Sequence, residues 1–129
     1  MSPLSRVRIL VTEDDPDTLD LLEIILAHAN CEVVTTGSSS QALALARTRA
    51  FDLYLLDSWM AEMGGVELCQ KLRALNSKIP ILYYSAYGDE ADHQHALQTC
   101  GDAYLKKPVC IADIQETIAR LLANAQETE

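Results

Sequence analysis

Several carboxylates stand where runs of apolar residues stop. The stretch Phe51-Asp52-Leu53-Tyr54-Leu55-Leu56-Asp57 ends in Asp57, and Val7 to Thr12 runs into Glu13-Asp14-Asp15. A third run, opened by Pro80, closes on Ser85, and Lys107 follows a fourth. Alone, Asp57 reads equally well as the start of a turn or as a side chain displayed at a sheet edge. Gathered together, three carboxylates repel one another unless a cation intervenes, and oxygen ligands that keep some waters suit Mg²⁺. Lys107 and the ion would bring Glu13, Asp14 and Asp57 close to neutrality, so that an incoming phosphoryl group is accepted. Asp57 is then a nucleophile for phosphorus. Lys107 and the ion offset charge on the phosphoryl oxygens, and the Ser85 hydroxyl donates to one of them.

That chemistry needs elements that bring four strand ends to one place. The pattern alternates strand and helix five times. Val7 to Thr12 is an apolar run, followed by Asp15 as helix N-cap and Pro16 as first helical residue. The helix reaches about Ala29, with Thr18, Leu19, Leu21, Leu22, Ile25, Leu26 and Ala29 as its inward stripe and Ile24 outside it. Cys31 to Thr36 is strand two, and Gln41 to about Arg49 helix two. Strand three is Asp52 to Asp57, and helix three Gly65 to Leu75, with Val66, Leu68, Cys69 and Leu72 apolar. Strand four runs from Pro80 to Ser85. Helix four starts at Gly88-Asp89, is poor in large apolar residues and stops at Gly101; it is expected to be weakly held. Strand five is Asp102 to Lys106. Helix five spans about Ile111 to Ala123, with Ile111, Ile114, Ile118, Leu121 and Leu122 at helical spacing. Strands alternating with helices of this length imply parallel βαβ units and a doubly wound α/β sheet. Such a sheet gathers the carboxyl ends of its strands at one edge. Chance would have to supply fitting groups at four strand ends, which decides Asp57 in favour of display.

Composition narrows the classes. With 129 residues the chain is one domain, and a net charge of −9 argues against a nucleic-acid surface while suiting a cation site. Its apolar runs are too short to cross a membrane, and its N-terminus lacks a signal peptide's apolar stretch, so a cytoplasmic protein is expected. Cys31, Cys69, Cys100 and Cys110 are far apart with no Cys-x-x-Cys pair. Zinc or a redox dithiol is therefore not expected, and in a reducing cytosol the four read as small, mostly buried hydrophobes.

The chain resembles a response-regulator receiver domain, the family of the chemotaxis response regulator and the sporulation phosphorelay receiver. The resemblance covers residues 7 to about 123. It rests on Ile9-Leu10-Val11-Thr12-Glu13-Asp14-Asp15, Asp52-Leu53-Tyr54-Leu55-Leu56-Asp57, Met63-Gly64-Gly65-Val66-Glu67-Leu68, Ser85-Ala86 and Tyr104-Leu105-Lys106-Lys107-Pro108. The spacings are 43 residues from Asp14 to Asp57, 28 on to Ser85 and 22 on to Lys107. It implies a flavodoxin-like (βα)5 fold with strand order 2-1-3-4-5. Asp57 matches the phosphoacceptor, Glu13 and Asp14 the acidic pair, with Asp14 the direct Mg²⁺ ligand and Glu13 acting through water. Trp59 matches the position whose backbone carbonyl binds the metal, for which Mn²⁺ could substitute. Ser85 and Tyr104 match the switch pair, and Lys107 the lysine of the site, with a cis bond implied before Pro108. Lys106 receives no role, and Asp15 caps helix one.

The resemblance further implies a non-enzymatic receiver that only phosphorylates and dephosphorylates itself. Its phosphoryl donor or acceptor is a sensor histidine kinase or a histidine phosphotransfer protein. A downstream protein target is read through helix four, strand five and helix five. The chain is expected as a monomer or weak homodimer with no nucleic-acid or membrane partner and no output domain. Ala61, Cys100-Gly101, Cys110 and Thr12 depart from the family pattern, which touches loop geometry and switching rather than phosphorylation. Trp59 and Tyr87 are bulky residues flanking the attack path, expected to shield the acyl phosphate. Other readings are a pseudo-receiver working without phosphorylation, a receiver fragment of a longer regulator or hybrid kinase, or an FMN protein. The last needs a Ser/Thr/Gly phosphate loop where Glu13-Asp14-Asp15 would repel phosphate. An aspartyl phosphatase would need Asp-x-Asp after strand one, which is absent.

Overall fold

The apolar runs form the strands of one sheet. The structure, a computed structural model, describes residues 6–57, 63–86, 90–107 and 110–127. Its elements in chain order are β1 (Arg8–Thr12), α1 (Pro16–His28), β2 (Glu32–Thr36), α2 (Ser39–Thr48), β3 (Leu53–Leu56), α3 (Gly65–Leu75), β4 (Ile81–Ser85), α4 (Glu90–Thr99), β5 (Ala103–Lys106) and α5 (Ile111–Glu127). The strands make a five-stranded sheet in the order β2-β1-β3-β4-β5. Every pairing is parallel, and Thr12 lies opposite both Thr36 and Leu56. The expected doubly wound, flavodoxin-like order is the observed one.

Side chains alternate across the pleat. Ile9, Val11, Leu53, Leu55, Leu82 and Tyr84 face α1 and α5, meeting Leu22, Ile25, Leu26, Ile114, Ile118 and Leu121. Leu10, Tyr54, Leu56, Ile81 and Tyr83 face the other way, onto Ala42, Leu43, Leu68, Cys69, Leu72 and Ala96 of α2, α3 and α4. All four residues of β3 are buried because both faces are covered. Each such leucine contributes about 1.5–3 kcal/mol of burial, and the central strands end at Thr12, Leu56 and Ser85, where the apolar runs give way to polar residues.

The helix termini follow from local chemistry. Asn30 adopts φ 65°, and the N–H groups of Asn30 and Cys31 donate to the carbonyls of Ala27 and Leu26. This pattern closes α1 with a residue that tolerates the left-handed region. Ser38 caps α2 by accepting from the N–H of Gln41 at 3.2 Å. Asp15 stands at the N-cap position of α1, but its carboxylate makes no capping bond to a backbone N–H and instead accepts the Thr18 hydroxyl at 2.6 Å.

Three expectations are corrected. Leu21, placed in the inward stripe, is 51% exposed; at 100° per residue it lies about 90° from the centre of Leu22, Ile25 and Leu26. Ile111 is 53% exposed, because it sits in the first turn of α5, one turn before Ile114 reaches the core. The cysteines are not four reduced hydrophobes: Cys69 and Cys100 form a disulfide, Cys31 is buried and Cys110 is exposed. Helix α5 also continues past Ala123 to Glu127, over residues with no helix-breaking Gly or Pro.

Candidate functional site

Parallel pairing sets the carboxyl ends of β1, β3, β4 and β5 side by side. The residue after β1 is Glu13, held by donation from its N–H to the Thr36 carbonyl at 3.0 Å. Asp57 follows β3, and its N–H donates to the Thr12 carbonyl at 2.9 Å. Lys107 follows β5, and its N–H donates to the Ser85 carbonyl at 2.9 Å. Backbone ladders thus fix the four residues before any side chain acts.

Glu13, Asp14 and Asp57 each offer an oxygen, and these oxygens lie within 4.8 Å of one another. Glu13 and Asp57 are buried, while Asp14 faces solvent. The two oxygens of Glu13 have separate partners. Oε2 accepts from the Lys107 ammonium at 2.7 Å, and Oε1 accepts from the Asp15 N–H at 3.2 Å. Burial pushes the Glu13 carboxyl up to about 7, opposed by the Lys107 hydrogen bond and reinforced by a hydrogen bond and repulsion from Asp57. The Lys107 ammonium also lies 5.3 Å from the centre of the Tyr84 ring. Ser85 is fully buried at the end of β4. Tyr104 is half-buried, its ring centre 5.6 Å from that of Tyr83.

The sequence-predicted residues Glu13, Asp14, Asp57, Ser85 and Lys107 therefore meet at one edge, and Lys106, given no role, is exposed. Trp59, Ala61, Tyr87, Gly88, Asp89 and Pro108 lie outside the described residues. Sequence reasoning missed Tyr84, whose alternation with Tyr83 along β4 was the available signal. It also missed Arg73 and Asp102, which pair at 2.5 Å between α3 and the α4–β5 turn.

Octahedral Mg²⁺ sets ligand oxygens about 3 Å apart when adjacent and about 4 Å apart when opposed. Three hard oxygen donors within 4.8 Å fit that ion after small adjustments, with water completing the shell. Both Glu13 oxygens already have protein partners, Lys107 and the Asp15 N–H, whereas Asp14 faces solvent, where water can complete a coordination shell.

A family model described as the response regulator receiver domain matches residues 9–119. The chain belongs to that family. Among curated relatives it is 36% identical over 123 residues to the transcriptional regulatory protein ZraR of Salmonella typhimurium, covering 95% of this chain and 28% of that protein. It is 36% identical over 124 residues to the DNA-binding response regulator MtrA of Mycolicibacterium smegmatis, covering 96% and 53%. The receiver thus spans between about a quarter and a half of these two relatives. Among solved structures it is similar to a CheY-like response regulator receiver domain from Methanospirillum hungatei, with a TM-score of 0.90, 29% identity and coverage of 97% and 100%. The receiver domain of a sensor histidine kinase from Pseudomonas aeruginosa, with magnesium coordinated in its active site cleft, matches with a TM-score of 0.84, 25% identity and coverage of 92% and 99%. Among the described residues of this receiver, no helix is long and apolar enough to cross a membrane.

Proposed function

We propose that this receiver accepts a phosphoryl group on Asp57, from the phosphohistidine of a sensor kinase or of a phosphotransfer protein, in the cytoplasm. What supports the reading is the meeting of Glu13, Asp14 and Asp57 within 4.8 Å, with the Lys107 ammonium 2.7 Å from Glu13. An Asp57 oxygen attacks phosphorus, the P–N bond to the donor imidazole breaks, and the imidazole leaves with its electron pair. Bound Mg²⁺, or Mn²⁺ in its place, supplies charge neutralisation for the transferring oxygens. Asp14, Asp57 and the Trp59 carbonyl would hold that ion, with Glu13 reaching it through water.

The remaining work falls to the chain. Burial of Asp57 keeps bulk water from the acyl phosphate. Lys107 turns part of its charge from Glu13 to the new phosphoryl oxygens, and the Ser85 hydroxyl donates to one of them. Movement of Ser85 with Tyr104 then shifts the face of α4, β5 and α5 towards a second state read by a protein target. The chain only phosphorylates and dephosphorylates itself, and no other substrate is invoked. Intact-mass measurement after treatment with acetyl phosphate and Mg²⁺ tests this. One phosphoryl group gained by the wild type, and lost in Asp57→Asn or with a chelator, is the expected result; no gain overturns the proposal.

A further inference from the structure

Helix α3 grips the turn that ends α4 at two successive levels. Cys69 of α3 is bonded to Cys100, with Cα atoms 6.2 Å apart and 31 residues between them in sequence. Four residues on, Arg73 donates to the carbonyls of Cys100 at 3.1 Å and Ile79 at 2.9 Å. Its guanidinium also pairs with Asp102 Oδ2 at 2.5 Å, and that same oxygen accepts the Ile81 N–H at 2.7 Å. The turn is therefore anchored to α3 and β4 without the disulfide. The covalent bond adds its restraint at Cys100, the residue that directly follows α4.

Helix α4 has little else to hold it. Among its described side chains Ala96 is the buried one. At its end the N–H groups of Cys100 and Gly101 both donate to one carbonyl, that of Ala96, at 3.1 Å. Gly101 rests against the Tyr83 ring so closely that a Cβ there would overlap it. Tyr83 in turn stacks at a tilt on Tyr104. A restraint at Cys100 thus acts on α4 and, through Gly101 and Tyr83, on the aromatic pair beside β5. Cys69 is fully buried and Cys100 half-buried, so Cys100 is the more exposed of the two.

We propose that Cys69 and Cys100 form a redox-modification site, reduced by a dithiol, that sets the mobility of α4 and so gates the receiver's output. The gating clause rests on the phosphoacceptor reading; the mobility clause does not. A thiolate of the dithiol attacks Cys100 Sγ, the bond to Cys69 breaks, and Cys69 leaves as a thiolate and takes a proton. The second thiol of the reductant then attacks its own sulfur in the mixed disulfide and releases Cys100 as a thiol. Two electrons and two protons pass to the cysteines, and the dithiol becomes a disulfide. Reoxidation is the reverse exchange with a disulfide oxidant. It is favoured because Arg73 keeps the two cysteines adjacent after the bond is broken.

The test compares full-length protein oxidised with diamide and protein reduced with dithiothreitol. Iodoacetamide is expected to label Cys69 and Cys100 only after reduction. Amide exchange over residues 90–99 is expected to quicken about tenfold on reduction, with β1 and β3 unchanged. A folded Cys100→Ser variant should exchange at the reduced rate under both conditions. Labelling of both cysteines without reduction, or equal α4 exchange in the two wild-type states, overturns the proposal and needs no variant to fold. Acetyl phosphate added to the same samples separates the two readings. No phosphoryl group in either state sinks the phosphoacceptor reading alone, whereas equal phosphorylation with equal exchange sinks the redox switch alone.

Discussion

The Lys107 ammonium sits 2.7 Å from Glu13 Oε2, joining residues 94 apart in sequence at the ends of β5 and β1. The Glu13 side chain is 2% exposed and that of Lys107 16%, so little water screens the pair. Removing the cation strands a buried carboxylate. Lys107→Met is expected to cost about 1–3 kcal/mol at pH 8 without metal, and much less at pH 5, where a protonated Glu13 no longer needs the ammonium. Urea unfolding at the two pH values checks this. An equal loss at both would mean that Lys107 acts through packing and not through its charge.

Glu13 also sets a pH dependence in the metal-free protein. Its carboxyl is raised from 4.5 to about 7 in the folded chain, chiefly by burial. The folded state therefore holds the Glu13 proton more tightly than the unfolded state. This contribution to stability is complete below about pH 4.5 and is lost as pH rises through about 7, at most about 3 kcal/mol. Asp15 is shifted the other way, first by the Thr18 hydrogen bond, so its contribution falls away only at more acid pH. In chelator, the urea midpoint should drop between pH 5 and pH 8. Added Mg²⁺ should recover more at pH 8 than at pH 5, because the ion requires the ionised carboxylates. A midpoint that rises across this range would contradict the assignment of a raised Glu13.

Gly101 is required by a close approach. A Cβ at Gly101 would overlap the ring of fully buried Tyr83, whereas a Cβ at Gly64 meets nothing within 4 Å. Gly101→Ala should destabilise by about 1–3 kcal/mol through the forced shift of the ring. Gly64→Ala, at the N-cap of α3, should change stability by less than about 1 kcal/mol. Thermal unfolding of the two variants side by side reads the difference, and equal Tm values would show that the Tyr83 ring yields without cost.

Much of this was legible in the sequence because one periodicity carried it. The apolar runs ending at Thr12, Leu56 and Ser85 give the strands, and the polar residues that follow give the sheet edge and its site. The helical wheel separated Ile24 from the core correctly but misjudged Leu21 and Ile111, since angle alone does not say where a stripe ends or how far along the helix the sheet reaches. The pairing of Cys69 with Cys100 was hidden for a different reason. Nothing local links residues 31 apart; only the packing of α3 beside the α4–β5 turn brings them together. Arg73 and Asp102 were missed on the same ground, each reading by itself as a surface charge.

Thr12 is where the sequence departs from an apolar β1, and the structure gives that departure a cost. The residue is fully buried, and among the described residues its Oγ1 has no hydrogen-bond partner. Its neighbours across the sheet are Thr36 and Leu56, and its backbone carbonyl accepts the Asp57 N–H. An unpaired buried hydroxyl loses its hydration without replacement, worth about 1–3 kcal/mol. Thr12→Val keeps the shape and the β-branch, removes the orphaned group and leaves the backbone contact to Asp57 in place. It should raise stability by about 1 kcal/mol, read as a higher urea midpoint at unchanged slope, with Asp57 still accepting one phosphoryl group from acetyl phosphate. A fall in stability would show that the hydroxyl is satisfied in solution, and a loss of phosphorylation at intact stability would make Thr12 a positioning residue for Asp57.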